Sequence, residues 1–283
     1  MAVDTDLIRQ YSDNIQLVTQ LLATKLAPTV FLKNDCKGEM AFQDQLATDE
    51  AQEKTARNQV VVNTDPSYSR RKIVPRYFYM APLVDNMDKV MLCKDPTNEI
   101  VQGNGGALAR AKDTLIGLAF RAIAYTGKDG TTAVSLASTQ IIVHSSVGMN
   151  MAKIRAAKKR LDLNEVPLTN RYLALGAEEI EDLLAVTEVT SADYAQVKAL
   201  VGGQIGTVCG FTMVQSERLP ITSTTRYCAA YHKTGVVLGN WLDFKASIDI
   251  MPGLHFSAQV YAAQSYGATR LEEEKVVTIE CTE

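Results

Sequence analysis

The sequence is poor in the residues that build metal and redox centres. Its three histidines (His144, His232, His255) form no H-x-H or H-x-x-x-H pair, so the spacing of a metal site is absent. The five cysteines, Cys36, Cys93, Cys209, Cys228 and Cys281, are odd in number and widely spaced, with no C-x-x-C. That argues against a disulfide framework or zinc ribbon and for synthesis in a reducing cytoplasm. No apolar run approaches the ~18 residues of a membrane span. Asp4 and Asp6 stand where a secretory signal carries positive charge. Nor is there an excess of one charge: the net value is −3, which excludes a polycation built to grip nucleic acid.

What is present is a folding composition, 46% hydrophobic and 22% charged. Residues 5–26 place Leu7, Ile8, Tyr11, Ile15, Val18 and Leu22 at three- and four-residue spacing, which predicts an amphipathic helix. Between Lys33 and Lys72, 14 residues are charged and only seven are large and apolar (Met40, Phe42, Leu46, Val60, Val61, Val62, Tyr68). Burying seven such side chains yields about 1.5–3 kcal/mol each, against roughly 1–2 kcal/mol of backbone entropy for every ordered residue. The segment therefore is either mobile or held by something outside its own fold.

Downstream, SRRKIVPRYFYM reads as a strand with a proline-marked bend. Asp95-Pro96 opens a long helix, since Asp suits the cap and Pro the first turn. Its stripe of Leu108, Ala111, Leu115, Leu118 and Ala122 predicts a run to about Ala124. Thr131–His144 alternates as strand or hairpin, and Met149–Leu161 is a second helix. Strand RYLAL, helix AEEIEDLLAV, a helix over Ala192–Val201, strand IGTVCGFTMVQS and a β-rich end from Phe244 follow. Interleaved helices and strands indicate an α+β fold.

Three catalytic signatures fail on inspection. AYTGKDGTT (Ala124–Thr132) lacks the first glycine and the Ser/Thr of a phosphate loop and follows a predicted helix, so it reads as a turn. Gly103-Asn104-Gly105-Gly106 has Leu108 where a dinucleotide fingerprint needs glycine. Ser265 in AQSYG sits on a predicted strand with no later histidine, so it is no nucleophile elbow. The helix bearing Lys153, Arg155, Lys158, Lys159 and Arg160 is either a phosphate-facing surface or a solvated face. Glu178, Glu179, Glu181 and Asp182 read as its solvated acidic counterpart. No catalytic, cofactor or metal constellation emerges, and the chain reads as a non-enzyme.

The order of segments resembles that of tailed-bacteriophage major capsid proteins with the Hong-Kong-97-like capsid fold. The resemblance rests on IRQYSDNIQLVTQLLATKL, SYSRRKIVPRYFYMAPLVDNMDKVMLCKDPTNEIVQ, AYTGKDGTTAV, LDLNEVPLTNRYLAL, IGTVCGFTMVQSERLP and YGATRLEEEKVVTIEC. It implies an N-terminal arm (1–36), an extended E-loop β-hairpin (37–82) and a peripheral domain (83–145) with a spine helix at about 96–124. An axial domain (146–257) and C-terminal strands completing the peripheral domain (258–283) follow.

The implied function is structural. Copies assemble as hexamers and pentamers into an icosahedral shell around double-stranded DNA, held non-specifically, in a virion put together in the host cytoplasm. Portal, decoration and separate scaffolding proteins are the implied partners, the last because the arm begins almost at Met1; no membrane is involved. Arg70, Arg71 and Lys72 become subunit-interface candidates, expected to meet a neighbour's carboxylates. Cys36, on the arm, becomes a candidate for an intersubunit disulfide, and the basic helix a candidate DNA-facing surface. A cellular encapsulin-like compartment is the alternative on the same fold. Within the resemblance AYTGKDGTT is the turn that ends the spine helix.

Overall fold

The computed structural model describes residues 23–47, 51–61, 63, 65–85, 97–144, 147–185 and 206–282. The expected helix over 5–26 up to residue 22, the Asp95-Pro96 helix start, the Ala192–Val201 helix and Cys93 lie outside the described residues. The chain divides into two compact units. The described residues of the first are 23–24, 77–85, 97–112 and 242–265; the second takes those of 25–76, 113–241 and 266–282.

One sheet runs in the order β1 (Phe31–Lys33), β14 (Val236–Met251), β15 (Ser257–Arg270), β4 (Arg76–Met80), with β5 (Leu83–Val84) also paired to β15. In the first unit, Val260, Ala262 and Ala263 of β15 are buried. Helix α1 (Thr97–Ala119) fixes its register there through Asn104, whose buried amide donates to the Val260 carbonyl at 3.3 Å. The β14–β15 connection carries His255 and Phe256, both left-handed (φ 50° and 58°), a costly conformation for a ring-bearing side chain.

The second unit is organised by a seven-stranded sheet. Its order is β10 (Thr207–Val208), β11 (Phe211–Gln215), β9 (Arg171–Leu175), β13 (Thr225–His232), β16 (Val276–Thr282), β8 (Ile141–Ile142), with β12 (Ile221–Thr222) beside β13. Strand β13 is hydrogen-bonded on both edges, and Cys228 to His232 are all buried. The sequence reading passed over this central strand because CAAYH has neither a polar alternation nor β-branched residues. Helices α2 (Met151–Leu163) and α3 (Ala177–Ala185) belong to the same unit, α2 capped by Asn150, which accepts from Lys153 N–H.

The end of α1 departs from expectation: it stops at Ala119 rather than near Ala124. Arg121 and Ala122 both donate to Leu118 O, tightening the last turn, and the Phe120 ring packs tilted against Tyr231 with centroids 4.6 Å apart. The buried face is accordingly Leu115, Ile116, Ala119 and Phe120, while Leu118 and Ala122 are exposed. Asp113, fully buried in the same helix, accepts from the Lys25 and Leu26 amides, and Thr29 bonds the Tyr231 hydroxyl at 2.6 Å.

AYTGKDGTT is likewise not the turn after the helix. It forms β6 (Ala124–Thr126), a turn closed by Gly130 N–H donating to Gly127 O, and β7 (Thr132–Val134). Both glycines hold positive φ, and a Cβ on Gly130 would fall 2.5 Å from the Lys72 side chain.

At the end of β13, burial lowers the His232 pKa, reinforced by Lys275 and Arg171 and opposed by Thr169 and Glu272. The folded state therefore prefers the neutral ring. Its contribution to stability is complete above the free-histidine pKa of about 6.5 and declines as pH falls from there toward the lowered folded value. Urea unfolding of unassembled subunits from pH 7.5 to 5 should show that decline, and His232→Gln should flatten it; an unchanged slope would refute the assignment.

Candidate functional site

The polar segment that cannot bury a core forms a two-stranded ribbon. Strand β2 (Ala41–Leu46) pairs antiparallel with β3 (Tyr68–Ile73), from Ala41 opposite Ile73 to Leu46 opposite Tyr68. The sheet continues through β6 to β7, since Arg71 pairs Thr126 and the Thr126 hydroxyl donates to Arg70 O. Away from this root the ribbon is exposed on its apolar residues as well as its polar ones: Leu46, Tyr68, Val60 and Val61 are 61–86% accessible. Asp44, Tyr68, Ser69, Arg70, Thr126, Gly127 and Lys128 line an open cavity of about 640 Å³ at its side.

The root is fixed by charge. Arg71 donates from Nε to Leu271 O at 2.8 Å and from Nη2 to Glu273 Oε2 at 2.6 Å. Arg270, fully buried, donates to Phe120 O, Ala122 O and Val134 O, and its Nε meets Glu273 Oε1 at 3.4 Å. Burial lowers the Arg270 pKa and Glu273 raises it, so the carboxylate holds the guanidinium charged. One carboxylate thus joins two guanidiniums that tie the ribbon, the end of α1 and the β7 strand to the turn after β15. Isoleucine 73, Val237 and Leu271 form the apolar cluster beside them.

The sequence-stated candidates separate accordingly. Arg71 is not a free cation awaiting a neighbour: it is buried and committed to its own chain. Arg70 is half-exposed, 3.1 Å from Asp44 and stacked over the Phe42 ring, and so is presented at the surface. Lys72 is half-buried beside Gly130. Cys36 is buried, with its thiol directed at Lys33 O, so it is not placed for an intersubunit disulfide in this conformation.

The basic helix divides too. Lys153 is buried, and its ammonium donates to the Val147, Gly148 and Glu280 carbonyls at 2.7–2.9 Å. Arg155 and Lys159 are exposed, Lys158 half-exposed, and the three line a shallow cavity of about 360 Å³ with Asp162 and Leu163. Arg160 is partly buried, which lowers its pKa. The acidic counterpart is not wholly solvated: Glu179 is buried, accepts from Gly176 N–H and faces Arg226 at 3.6 Å.

Among the described residues, Glu179, Cys228 and Cys281 are the group that metal chemistry would consider, with ligand atoms within 4.8 Å of one another. Arg226 already stands against the carboxylate, and burial pushes the Cys228 thiol well up, reinforced by its bond with Cys281. With the carboxylate engaged by Arg226 and the Cys228 thiol held protonated, the group is packed as core. Glu272, Glu273 and Glu274 read in sequence only as an unconvincing acid–base pair. The part Arg270 and Glu273 play in holding the ribbon had as its signal a lone arginine closing the apolar run HFSAQVYAAQSYGATRL.

A profile of the phage capsid protein family matches residues 3–283. The chain belongs to that family. Among solved structures, the capsid of cyanophage P-SCSP1u is similar at 14% identity, covering 96% of this chain and 92% of that one, with a TM-score of 0.75. Mycobacterium phage Che8 matches at 17% identity over 98% of both chains (TM-score 0.73). The acid-stable capsid of Helicobacter pylori bacteriophage KHP30 matches at 10% over 99% and 96% (TM-score 0.74). A search of curated protein sequences finds no match. The capsid protein therefore has the Hong-Kong-97-like fold that its sequence resembles, in its α+β form, and the virion is its place.

Replacing Arg270 by Met should cost the capsid protein about 3–5 kcal/mol, because the Phe120, Ala122 and Val134 carbonyls and Glu273 lose a buried partner. Denaturant unfolding would measure it; a cost below about 1 kcal/mol would show that the carbonyls find other donors.

Proposed function

We propose that this capsid protein assembles as hexamers and pentamers into an icosahedral shell enclosing double-stranded DNA. The observation that carries the reading is the β2–β3 ribbon. Its root is bonded through Arg71, while Leu46, Val60, Val61 and Tyr68 beyond the root are exposed. A folded chain that leaves such side chains in water gains by covering them, and in a shell the available cover is another copy. Ring-forming contacts join unlike patches, so a projecting ribbon and a receiving surface suit capsomers.

In this reading, 1–36 serves as the N-terminal arm, 37–82 as the E-loop and 83–145 with 258–283 as the peripheral domain. Residues 146–257 form the axial domain. The protein is a wall and not a catalyst. It assembles in the host cytoplasm with separate scaffolding and portal proteins and, in some shells, a decoration protein. The exposed Arg155 and Lys159, with the half-exposed Lys158, meet DNA phosphates without base readout. Nucleic acid inside purified particles would distinguish this container from an enzyme-filled compartment.

Of the β3 cations Arg70, Arg71 and Lys72, Arg70 is the one presented to a neighbour. Arg70→Glu should leave monomer stability within about 0.5 kcal/mol, as for a surface site, yet abolish particles seen by electron microscopy. Arg71→Glu should instead unfold the chain, since it sets a carboxylate against Glu273. Normal particles from Arg70→Glu would remove it from the interface.

A further inference from the structure

Among the described residues, the outer half of β14 is an unpaired strand edge. On one side it pairs with β15; on the other, β1 reaches only Val237 to Gly239. The Cys36 amide donates to Asn240 O, and the Trp241 indole donates to Gly38 O. From Leu242 to Met251 no described strand covers that edge. The side chains are unusual for such a position. Phe244, Ile248 and Ile250 are 45%, 55% and 65% exposed, and Phe244, Ala246, Ile248 and Ile250 share one face of the strand. The opposite face presents Asp243, Lys245, Ser247 and Asp249, with Ser247 donating to Asp249 at 3.0 Å. This is an amphipathic strand with an exposed apolar row, whose far edge is paired by no strand among the described residues and carries no proline to block pairing.

We propose that this edge pairs with the same edge of a second copy, antiparallel, about a twofold axis passing through Ser247. The partner and register follow from strand geometry and charge. Alternate residues of a strand point their N–H and C=O to the same edge, so two copies of one strand can pair only residues of equal parity. The axis must then fall on a residue and not between two. An axis at Ala246 sets Asp243 against Asp249; one at Lys245 or Asp249 sets that charge against itself. An axis at Phe244 matches Asp243 with Lys245 but leaves Ile248 and Ile250 outside the ladder. An axis at Ser247 sets Lys245 opposite Asp249 twice, Phe244 opposite Ile250 twice and Ala246 opposite Ile248 twice. It joins both apolar rows into one continuous patch and sets opposite charges across the pair. Axes at Ala246, Lys245 and Asp249 instead oppose like charges, and one at Ile248 leaves Lys245 opposite Met251, Asp249 opposite Ser247 and Phe244 outside the ladder.

This inference rests on the self-assembly reading and adds to it a specific contact. Contacts between unlike patches close each ring of subunits, but rings must also be joined to one another, and a self-complementary twofold patch does that with one surface.

The register makes a sharp test, because Ser247 lies opposite itself. Directly opposed residues stand about 4.5–5.5 Å apart at Cα, within the span a disulfide bridges. In assembled particles of full-length Ser247→Cys, mild oxidation should give a dimer on non-reducing gels that wild-type particles do not give. Particles whose chains all remain monomeric would overturn the pairing. Independently, Lys245→Asp should reduce particle yield at least about tenfold by setting two acids opposite, and Lys245→Asp with Asp249→Lys should restore it to within about twofold. A single variant that assembles normally, or a double variant no better than the single, would overturn the register. Thermal melting of each monomer separates misfolding from failed assembly. If wild-type protein forms no particles, the self-assembly reading fails and this inference falls with it.

Discussion

At the root of the ribbon two guanidiniums close on the two oxygens of Glu273, and much of the second unit hangs from that contact. Arg270 gathers carbonyls from the end of α1 and from β7, while Arg71 brings β3 against the turn after β15. A buried guanidinium is costly to desolvate, and the cost is met only when its donors are filled. Here the partners come from chain segments distant in sequence, with Arg71 Nη1 buried without one, so the ion cluster specifies where strands meet. An apolar side chain in place of Arg270 could occupy the volume but could not tell one carbonyl from another.

The same economy recurs at smaller scale. Lys153 is sunk among three carbonyls, and Arg171 bonds Asp162 and the Val166 and Pro167 carbonyls. Asp113 collects the Lys25 and Leu26 amides from within a helix. Each is a charged side chain holding irregular backbone that no ladder would satisfy. A chain with many short connections between sheets needs such clamps, and cations reach carbonyls better than neutral side chains do.

This explains what could be read from the sequence and what could not. The long helix, α2, strand RYLAL and helix AEEIEDLLAV were legible because their apolar residues repeat at helical or strand spacing. The ribbon was legible through a deficit, too few apolar residues to order it alone. Lys153 and Arg71 were misread because a cation in a charge run looks the same in sequence whether its head meets water or carbonyls. Glu179 was misread for the same reason, and Cys36 because placement on an arm suggested exposure. β13 was missed because burial on both faces erases alternation. The end of α1 was overestimated because the carbonyls that follow it, of Phe120 and Ala122, are satisfied by Arg270, some 150 residues away, and no local signal carries that.

The ribbon's poverty in contacts with its own body has a consequence for how natural variation in this protein is to be interpreted. Val60, Val61 and Tyr68 contribute little to the folding of the single chain, so changes there pass unnoticed in any assay of a monomer. On the proposed assembly, selection reaches them through the neighbour they would cover. Two lineages could therefore exchange bodies freely and still be unable to mix subunits, because compatibility is written in residues to which the fold itself is indifferent.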